Sequence, residues 1–344
     1  MLPRVLNKRD FKGFVEALMH GNAVAGPVAK ENKFVFDEIE RVDDLRMDYP
    51  ITLLSPKKYF FPQYETLLRY RMGDAVQLEP VVPPAKRRLI LGMHPCDMAA
   101  TWLLDAVFEA KPGNPNYLSR RDRAVIIGLD CNKPCDEYQF CLDMGSLSRR
   151  DGADLFLTDL GDRYFVEVLT LSGKQLLDGA TKAAVPAGAA DFAARQEVED
   201  QKAKAFRHKL PLDVKYLPEI LDESYDSLIW EAIGRRCFSC GSCNTTCPTC
   251  YCFDVQDTLA LDLATVSRER RWDSCQLVDF AEVAGGENFR HRRSDRLRHR
   301  FFRKGKYILE DHGRMGCVGC GRCDRVCVAK ISSVELYNQI AGSR

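Results

Sequence analysis

The sequence predicts an α/β N-terminal domain with a mostly parallel or mixed sheet, followed by an α-helical domain organised around two cysteine runs. In the first half, two short apolar runs of the kind that form buried strands flank a segment with helical spacing. In the second half, eight cysteines recur in two runs of the same spacing. We place the α/β domain at residues 1–210 and the second domain at residues 211–344.

The composition is that of an ordinary globular protein without a charge excess. The 344 residues are 45% apolar and 29% charged, with a net charge of +1, and they suffice for two domains. This balance argues against nucleic-acid binding, and no apolar run approaches the roughly 20 residues of a membrane helix. Charged residues interrupt the N-terminus where a signal peptide would be apolar, so we expect a cytoplasmic protein. In that reducing compartment, 15 cysteines favour metal binding over disulfides.

The first 65 residues predict a helix, a hairpin and a connection. Helical spacing begins around Arg9–His20, and the apolar runs Ala23–Ala29 and Phe34–Ile39 on either side of a turn predict a β-hairpin. The proline-containing stretch Thr52–Glu65 is expected to be an extended connection. We interpret its lysines as solvated charges, with substrate binding as the less favoured alternative.

A strand, a helix and a strand follow. Arg88–Met93 and Arg123–Gly128 have the pattern of buried strands, and Asp97–Ala110 between them has apolar residues at helical spacing. A unit of this size is a βαβ crossover, so the two strands should be parallel and their carboxyl ends should meet at one edge of the sheet.

Four cysteines follow these two strands and should converge on that edge, where open α/β sheets bind their ligands. We interpret them as a metal site additional to the two runs, most simply a [4Fe-4S] cluster. Buried structural cysteines, a zinc site and a redox-active pair are the alternatives. The four predicted ligands are Cys96, Cys131, Cys135 and Cys141.

Three further elements lead to the first cysteine run. Asp154–Thr170 alternates apolar and polar residues around a Gly-Asp turn and predicts a second hairpin. Ala189–Leu210 predicts an exposed helix that bridges the halves. Pro218–Arg235 has apolar residues near helical spacing and leads directly into Cys237.

The two runs read C-F-S-C-G-S-C-N-T-T-C from Cys237 to Cys247 and C-V-G-C-G-R-C-D-R-V-C from Cys317 to Cys327. The spacing C-x2-C-x2-C-x3-C is that of two-cluster ferredoxins, in which three cysteines of a run hold one [4Fe-4S] cluster and the fourth ligates the other. Zinc ribbons are the less favoured alternative. The predicted ligands are Cys237, Cys240, Cys243 and Cys327 for the first cluster, and Cys317, Cys320, Cys323 and Cys247 for the second.

The segment between the runs, residues 248–316, is much longer than the connection of a minimal ferredoxin. Blocks such as Ser274–Val283 suggest a helix, so we expect the larger α-helical ferredoxin arrangement, in which helices rather than a small β-fold supply the packing. Cys250, Cys252 and Cys275 are interpreted as structural or supporting sulfur, with direct ligation as the alternative.

A basic stretch follows, with nine lysines or arginines between Arg290 and Lys306 against the single acid Asp295. It could dock an acidic partner subunit or raise the reduction potentials of nearby anionic clusters. An equally weighted interpretation is a solvated basic face of a helix.

Together these residues resemble a family of iron–sulfur subunits that includes the beta subunits of cytosolic sulfhydrogenase-type nickel–iron hydrogenases and the A-type subunits of anaerobic sulfite reductases. The resemblance extends from about residue 50 to residue 330. The motifs that carry it are P-C-D at Pro95–Asp97, R-R-D-R-A-V-I-I-G at Arg120–Gly128, F-C-L-D-M-G at Phe140–Gly145, Cys240–Cys252, W-D-S-C at Trp272–Cys275, A-G-G-E-N-F-R at Ala284–Arg290 and Cys317–Asp324.

The sequence departs from the family at two positions. Val328 stands where relatives have proline after the last cysteine, and this change affects no ligand. Relatives place a cysteine nearer to Cys141, where this chain has Gln139. The fourth ligand of the third site is therefore Cys135 or one of the cysteines between the two runs.

The resemblance implies an electron relay between two other subunits. One is a flavoprotein linked to NAD(P)H or to ferredoxin, and the other is a catalytic subunit of the nickel–iron hydrogenase or sirohaem sulfite reductase type. The chain itself has no G-x-G-x-x-G after a strand, no P-loop and no Ser-His-Asp set, and its six histidines form no ligand-spaced group. We assign the histidines no role and identify no catalytic residue, so whether the chain is itself an enzyme stays open.

We expect an iron–sulfur electron-transfer subunit of a cytosolic multi-subunit oxidoreductase, with hydrogenase as the first choice. A sulfite reductase-type complex is the nearest alternative. A free-standing reductase with a substrate site near Cys96 and Cys141, and a redox sensor that uses its clusters as a switch, are the others.

Overall fold

The computed structural model describes residues 1–73, 76–83 and 87–342. The strands are β1 (Arg4–Asn7), β2 (Ala23–Lys30), β3 (Lys33–Glu38), β4 (Tyr64–Arg71), β5 (Gln77–Pro80), β6 (Arg88–Met93), β7 (Ala124–Leu129), β8 (Leu155–Asp159), β9 (Arg163–Val168), β10 (Val185–Pro186), β11 (Phe253–Leu259) and β12 (Thr265–Trp272).

The α-helices are α1 (Lys8–Met19), α2 (Pro95–Glu109), α3 (Pro115–Arg121), α4 (Leu171–Ala180), α5 (Ala189–Ala205), α6 (Leu217–Glu223), α7 (Ile229–Arg236), α8 (Ser242–Thr245), α9 (Arg293–Phe302), α10 (Ile308–His312), α11 (Arg322–Arg325) and α12 (Ser333–Gly342). A π-helical turn, Arg303–Tyr307, joins α9 to α10, and short 3-10 helices lie at Val42–Asp44, Pro56–Tyr59, Val214–Tyr216 and Asp279–Ala281.

The N-terminal half forms a mixed sheet, as the sequence predicts. Its strand order is β10-β1-β9-β8-β7-β6-β2-β3, in which β2, β6, β7 and β8 run parallel and the outer pairs are antiparallel. The predicted βαβ unit is β6, α2 and β7. The carboxyl ends of β6 and β7 therefore meet at one edge, where residues 94–96 and 130–131 follow them.

The other predicted elements of this half are also present. Helix α1 and the hairpins β2–β3 and β8–β9 lie where the sequence patterns indicate, and α5 covers most of the predicted helix at 189–210. The pattern at 218–235 differs, because it forms two helices, α6 and α7. The chain turns between them where the indole of Trp230 donates a hydrogen bond to the Ser224 carbonyl, at 2.7 Å.

Two apolar cores stabilise these layers. The sheet core includes Leu89, Ile90 and Leu91 of β6, which are completely buried, as β-strands covered on both faces require. The helical core of the second half includes Trp230 and Phe302. Cys237 and Cys317, the first residues of the two cysteine runs, pack against this core.

The segment between the runs contradicts the expectation of purely helical packing. It forms the antiparallel hairpin β11–β12, and residues 274–283 form a loop with a short 3-10 helix instead of the predicted α-helix. The two strands pair in register from Phe253 opposite Trp272 to Leu259 opposite Val266, and this pairing satisfies their backbone hydrogen bonds. The Asp262 carboxylate accepts backbone hydrogen bonds from Ala264 and Thr265 and so fixes the turn between the strands.

This hairpin belongs to a second sheet with the order β11-β12-β4-β5. Strand β4 precedes residue 210 and β12 follows it, so the sheet joins segments from both sides of the predicted domain boundary. The buried Glu65 carboxylate of β4 pairs with the guanidinium groups of Arg270 in β12 and Arg120 in α3. The division into residues 1–210 and 211–344 remains a prediction. Among the described residues, none of the helices has the length and apolar character that crossing a membrane requires.

Candidate metal centres

The first cysteine run lies on a loop between α7 and α8. Gly241 adopts a left-handed conformation, with φ of +77°, and begins the short helix that carries Cys243. The backbone N–H of Ser239 donates to the Cys237 sulfur at 3.3 Å. The Arg236 guanidinium donates to the carbonyls of residues 329 and 330, which brings the loop after Cys327 beside this run.

The second run surrounds a cavity together with one cysteine of the first run. Cys317, Cys320, Cys323 and Cys247 all line this cavity, which is the combination that the ferredoxin spacing predicts. Burial raises the pKa of the Cys317 thiol to about 12 and that of the Cys320 thiol to about 11. Iron binding would require both thiols to lose these protons, because the thiolate is the form of cysteine that ligates a metal.

The third set of cysteines also converges. Cys96 at the start of α2, together with Cys131, Cys135 and Cys141 from the segment after β7, lines one cavity at the edge of the sheet. Cys320 of the second run lies on the wall of the same cavity. The second and third cavities therefore share Cys320 on their walls.

Close backbone packing holds these two sites against each other. Gly319 accepts a hydrogen bond at its carbonyl from the Phe140 N–H, at 2.7 Å. A Cβ atom at Gly319 would lie 2.5 Å from the Phe140 carbonyl carbon, and one at Gly321 would lie 2.6 Å from that of Tyr138. Only glycine permits this approach of the second run to the segment that carries Cys141.

We therefore expect Gly319→Ala and Gly321→Ala to destabilise the folded protein. The overlap should cost roughly 1–3 kcal/mol beyond the about 1–2 kcal/mol of a left-handed alanine. Gly313→Ala is a matched control, because Gly313 also has positive φ but has no atom within 4 Å of an added Cβ. In anaerobic thermal unfolding, Gly319→Ala and Gly321→Ala should have lower midpoints than Gly313→Ala. Equal midpoints for all three variants would contradict the packing argument.

Three buried cations lie among the cysteines. Lys57, Arg300 and Lys304 have relative exposures of 4%, 5% and 5%, and within residues 1–73, 76–83 and 87–342 no carboxylate comes within 4.0 Å of their nitrogens. Their hydrogen-bond acceptors are neutral oxygens of Cys247, Cys250, Asn244 and Thr249. Because a buried charge needs a counter-charge, this environment fits anionic iron–sulfur clusters bound by the surrounding thiolates.

The basic stretch of the sequence supplies two of these cations on one face of a helix. Arg296, Arg300 and Lys304 are spaced four residues apart and buried, whereas Arg292 and Arg293 are exposed. The interpretation of a solvated face is therefore wrong for the buried three. Their position beside the cysteines favours an effect on cluster potential, while docking of an acidic partner remains a prediction for the exposed ones.

Lys57 corrects a second sequence-based interpretation. It lies in the 3-10 helix at 56–59, and its ammonium group donates to the carbonyls of Cys247 and Cys250, both at 2.8 Å, and lies 4.1 Å from the centre of the Trp272 ring. Burial lowers its pKa to about 8, and the thiolates of Cys250 and Cys247 oppose this effect. Lys57 is thus a buried part of the metal-binding region and not a solvated charge.

A buried ion pair joins the third site to the second run. Arg322, which lies between Cys320 and Cys323, donates to both carboxylate oxygens of Asp97 at 2.6 and 2.8 Å, and Asp97 follows Cys96 at the start of α2. Both side chains are almost fully inaccessible. Such bidentate pairing fixes the relative orientation of the two ligand segments.

The convergent cysteines have the donor chemistry of iron–sulfur clusters. Across the described parts of the chain, no three His, Cys, Asp or Glu side chains are arranged to hold one metal ion. A [4Fe-4S] core takes four thiolate ligands around a cube, and each of the two cavities includes the four cysteines of a predicted ligand set. The set Cys237, Cys240, Cys243 and Cys327 remains a prediction from the spacing. Cys250, Cys252 and Cys275 line neither of these two cavities. They line a separate cavity beside α9.

Two comparisons agree with this assignment of iron–sulfur chemistry. The sequence model of the 4Fe-4S dicluster domain matches residues 236–331. The chain is also similar to Sulfhydrogenase 2 subunit beta of Pyrococcus furiosus, with 34% identity over 342 residues, which cover 97% of this chain and 97% of the relative.

Proposed function

Since the chain belongs to the family of iron–sulfur subunits that includes the sulfhydrogenase beta subunit, we propose that it transfers electrons within a cytoplasmic multi-subunit hydrogenase. The observation that carries this proposal is a set of buried cations that lie among cysteine sulfurs and have no carboxylate partner in the described parts of the chain. A protein that only used its cysteines structurally would have no counter-charge for Lys57, Arg300 and Lys304.

The proposed ligands follow the crossed pattern of the two runs and the convergence at the sheet edge. A bound [4Fe-4S] cluster supplies a one-electron acceptor and donor. The first cluster is held by Cys237, Cys240, Cys243 and Cys327, the second by Cys317, Cys320, Cys323 and Cys247, and the third by Cys96, Cys131, Cys135 and Cys141.

Cysteines on the cavity walls support an order for these proposed sites. Cys320 lines the cavities of both the second and the third site, and Cys247 of the first run lines the second. The sites therefore follow one another from the third through the second to the first. Cys240 is exposed, which makes the first site the one most accessible to a partner protein.

We further propose that the partners are a flavoprotein linked to NAD(P)H or ferredoxin and a nickel–iron catalytic subunit. The relative's name supports a hydrogenase over a sulfite reductase complex. The chain would then carry electrons between a two-electron donor and a metal centre that it does not itself contain.

Anaerobic purification of the complete chain with its bound subunits tests this function. We expect co-purification of one flavin-containing and one nickel-containing protein, and reduction of the clusters by NAD(P)H or reduced ferredoxin only when the flavoprotein is present. Co-purification of a sirohaem protein instead of a nickel protein would assign the chain to a sulfite reductase complex. Substrate turnover by the isolated chain would contradict the relay.

A further inference from the structure

A cavity of about 350 Å³ beside α9 contains the three cysteines that the other sites do not use. Cys250 and Cys275 are buried and Cys252 is half-buried, and all three lie on the cavity wall. His299 lies on the same wall. Different cysteines line the cavities of the second and third sites. The second cavity shares Arg300 and Lys304 with this one.

Hydrogen bonds hold these thiols in place. The Asn244 amide nitrogen donates to the Cys275 sulfur at 2.9 Å, and the Asn244 amide oxygen accepts from Arg300 at 3.1 Å. The Cys252 and Cys275 sulfurs are in hydrogen-bonding contact, as are those of Cys250 and Cys247. An amide N–H directed at a cysteine sulfur is the contact that stabilises a metal-bound thiolate.

Three cationic side chains also line the cavity, beside aromatic and apolar ones. They carry the guanidinium groups of Arg300 and Arg303 and the ammonium group of Lys304. Arg303 donates to the Tyr251 hydroxyl, and Lys304 donates to the Thr249 hydroxyl at 2.6 Å, so neutral oxygens accept their hydrogen bonds. Three thiols beside three cations fit an anionic group that binds sulfur ligands. An organic anion could pair with the cations, but it would not need three thiols as ligands.

We propose that this cavity binds a fourth [4Fe-4S] cluster, held by the thiolates of Cys250, Cys252 and Cys275 and by the imidazole of His299. The site lies next to both proposed ferredoxin-type clusters. Cys250 contacts Cys247 of the second cluster, and Asn244, which binds Cys275, directly follows Cys243 of the first. Its binding of iron does not depend on the identity of the partner subunits, although its role as an electron carrier rests on the proposed function.

Iron and sulfide analysis of the full chain, purified anaerobically, tests this site. The wild-type protein should contain roughly 16 irons, four for each of four clusters, and Cys252→Ala and Cys275→Ala should each contain roughly 12. Electron paramagnetic resonance of the reduced variants should retain the signals of the two clusters in the cysteine runs. His299→Cys should keep all the iron and alter one signal, because it replaces an imidazole ligand with a thiolate.

Phe280→Leu is the matched control, since it changes the wall of the same cavity without removing a thiol, and it should keep the wild-type iron content. Wild-type iron content in both cysteine variants would overturn the proposal. It would also be overturned if both variants lost the signal of a ferredoxin-type cluster, because the thiols would then serve that cluster. Failure of the proposed function would look different: the wild type itself would lack the iron of the two runs.

Discussion

Cys247→Ala is expected to remove the second cluster and to leave the first cluster in place. Although Cys247 is the last cysteine of the first run, it lines the cavity of Cys317, Cys320 and Cys323. Its loss leaves one iron of that cluster without a protein ligand. Iron content should fall by about four per chain, and the electron paramagnetic resonance signal of the second cluster should disappear from the reduced protein.

Cys327→Ala is the reciprocal variant and the control for this experiment. It should remove the first cluster and retain the second, because Cys327 completes the set of the opposite run. The two variants would then lack different signals while losing the same amount of iron. If Cys247→Ala lost the first cluster and kept the second, the crossed assignment would be refuted.

The second large effect concerns the charge at Arg300. Arg300 lines the cavity of the proposed second cluster and has no carboxylate partner among the described residues, so we expect its charge to act directly on that cluster. Reduction adds an electron to an anionic cluster, and removal of a nearby cation disfavours this step. Arg300→Gln should therefore lower the reduction potential of the second cluster by an amount on the order of 100 mV, which corresponds to about 2 kcal/mol at an effective dielectric constant near 20.

A redox titration followed by electron paramagnetic resonance measures this shift. Lys304→Gln should shift the potential in the same direction, because Lys304 lines the same cavity. Arg293→Gln, on the exposed face of the same helix, should leave the potential within experimental error, since solvent screens its charge. Equal potentials in Arg300→Gln, Lys304→Gln and the wild type would show that these cations do not tune the cluster.

The sequence predicts the features that depend on short, regular spacing. The two cysteine runs show their grouping directly, and the apolar runs at 88–93 and 123–128 predict parallel strands. From the topology of that unit alone, four irregularly spaced cysteines could be brought to one sheet edge, and the structure places all four there. Handedness and strand direction carry this information without any knowledge of side-chain contacts.

Features that depend on long-range packing could not be predicted in this way. Nothing near Lys57 in the sequence indicates that its ammonium group reaches the carbonyls of Cys247 and Cys250. Arg296, Arg300 and Lys304 are spaced four residues apart, which predicts that they share one face of a helix. The sequence does not indicate that this face is buried, because burial depends on the elements that pack against the helix. The hairpin β11–β12 is hard to predict because its charged residues hide the usual strand pattern. Its partner strand β4 also lies far away in the sequence.

The distance along the chain between β4 and β12 has a consequence for biosynthesis. Strand β4 leaves the ribosome before β12, so one of its edges is unpaired at first. Cys96 is likewise synthesised long before Arg322, which donates a hydrogen bond to Asp97, the residue after Cys96. The half of the protein that is synthesised first is therefore the half that is completed last. Iron should be inserted into the third site only after the C-terminal residues have folded against it, so a chain that ends early would leave the cell's cluster-assembly machinery without a finished acceptor.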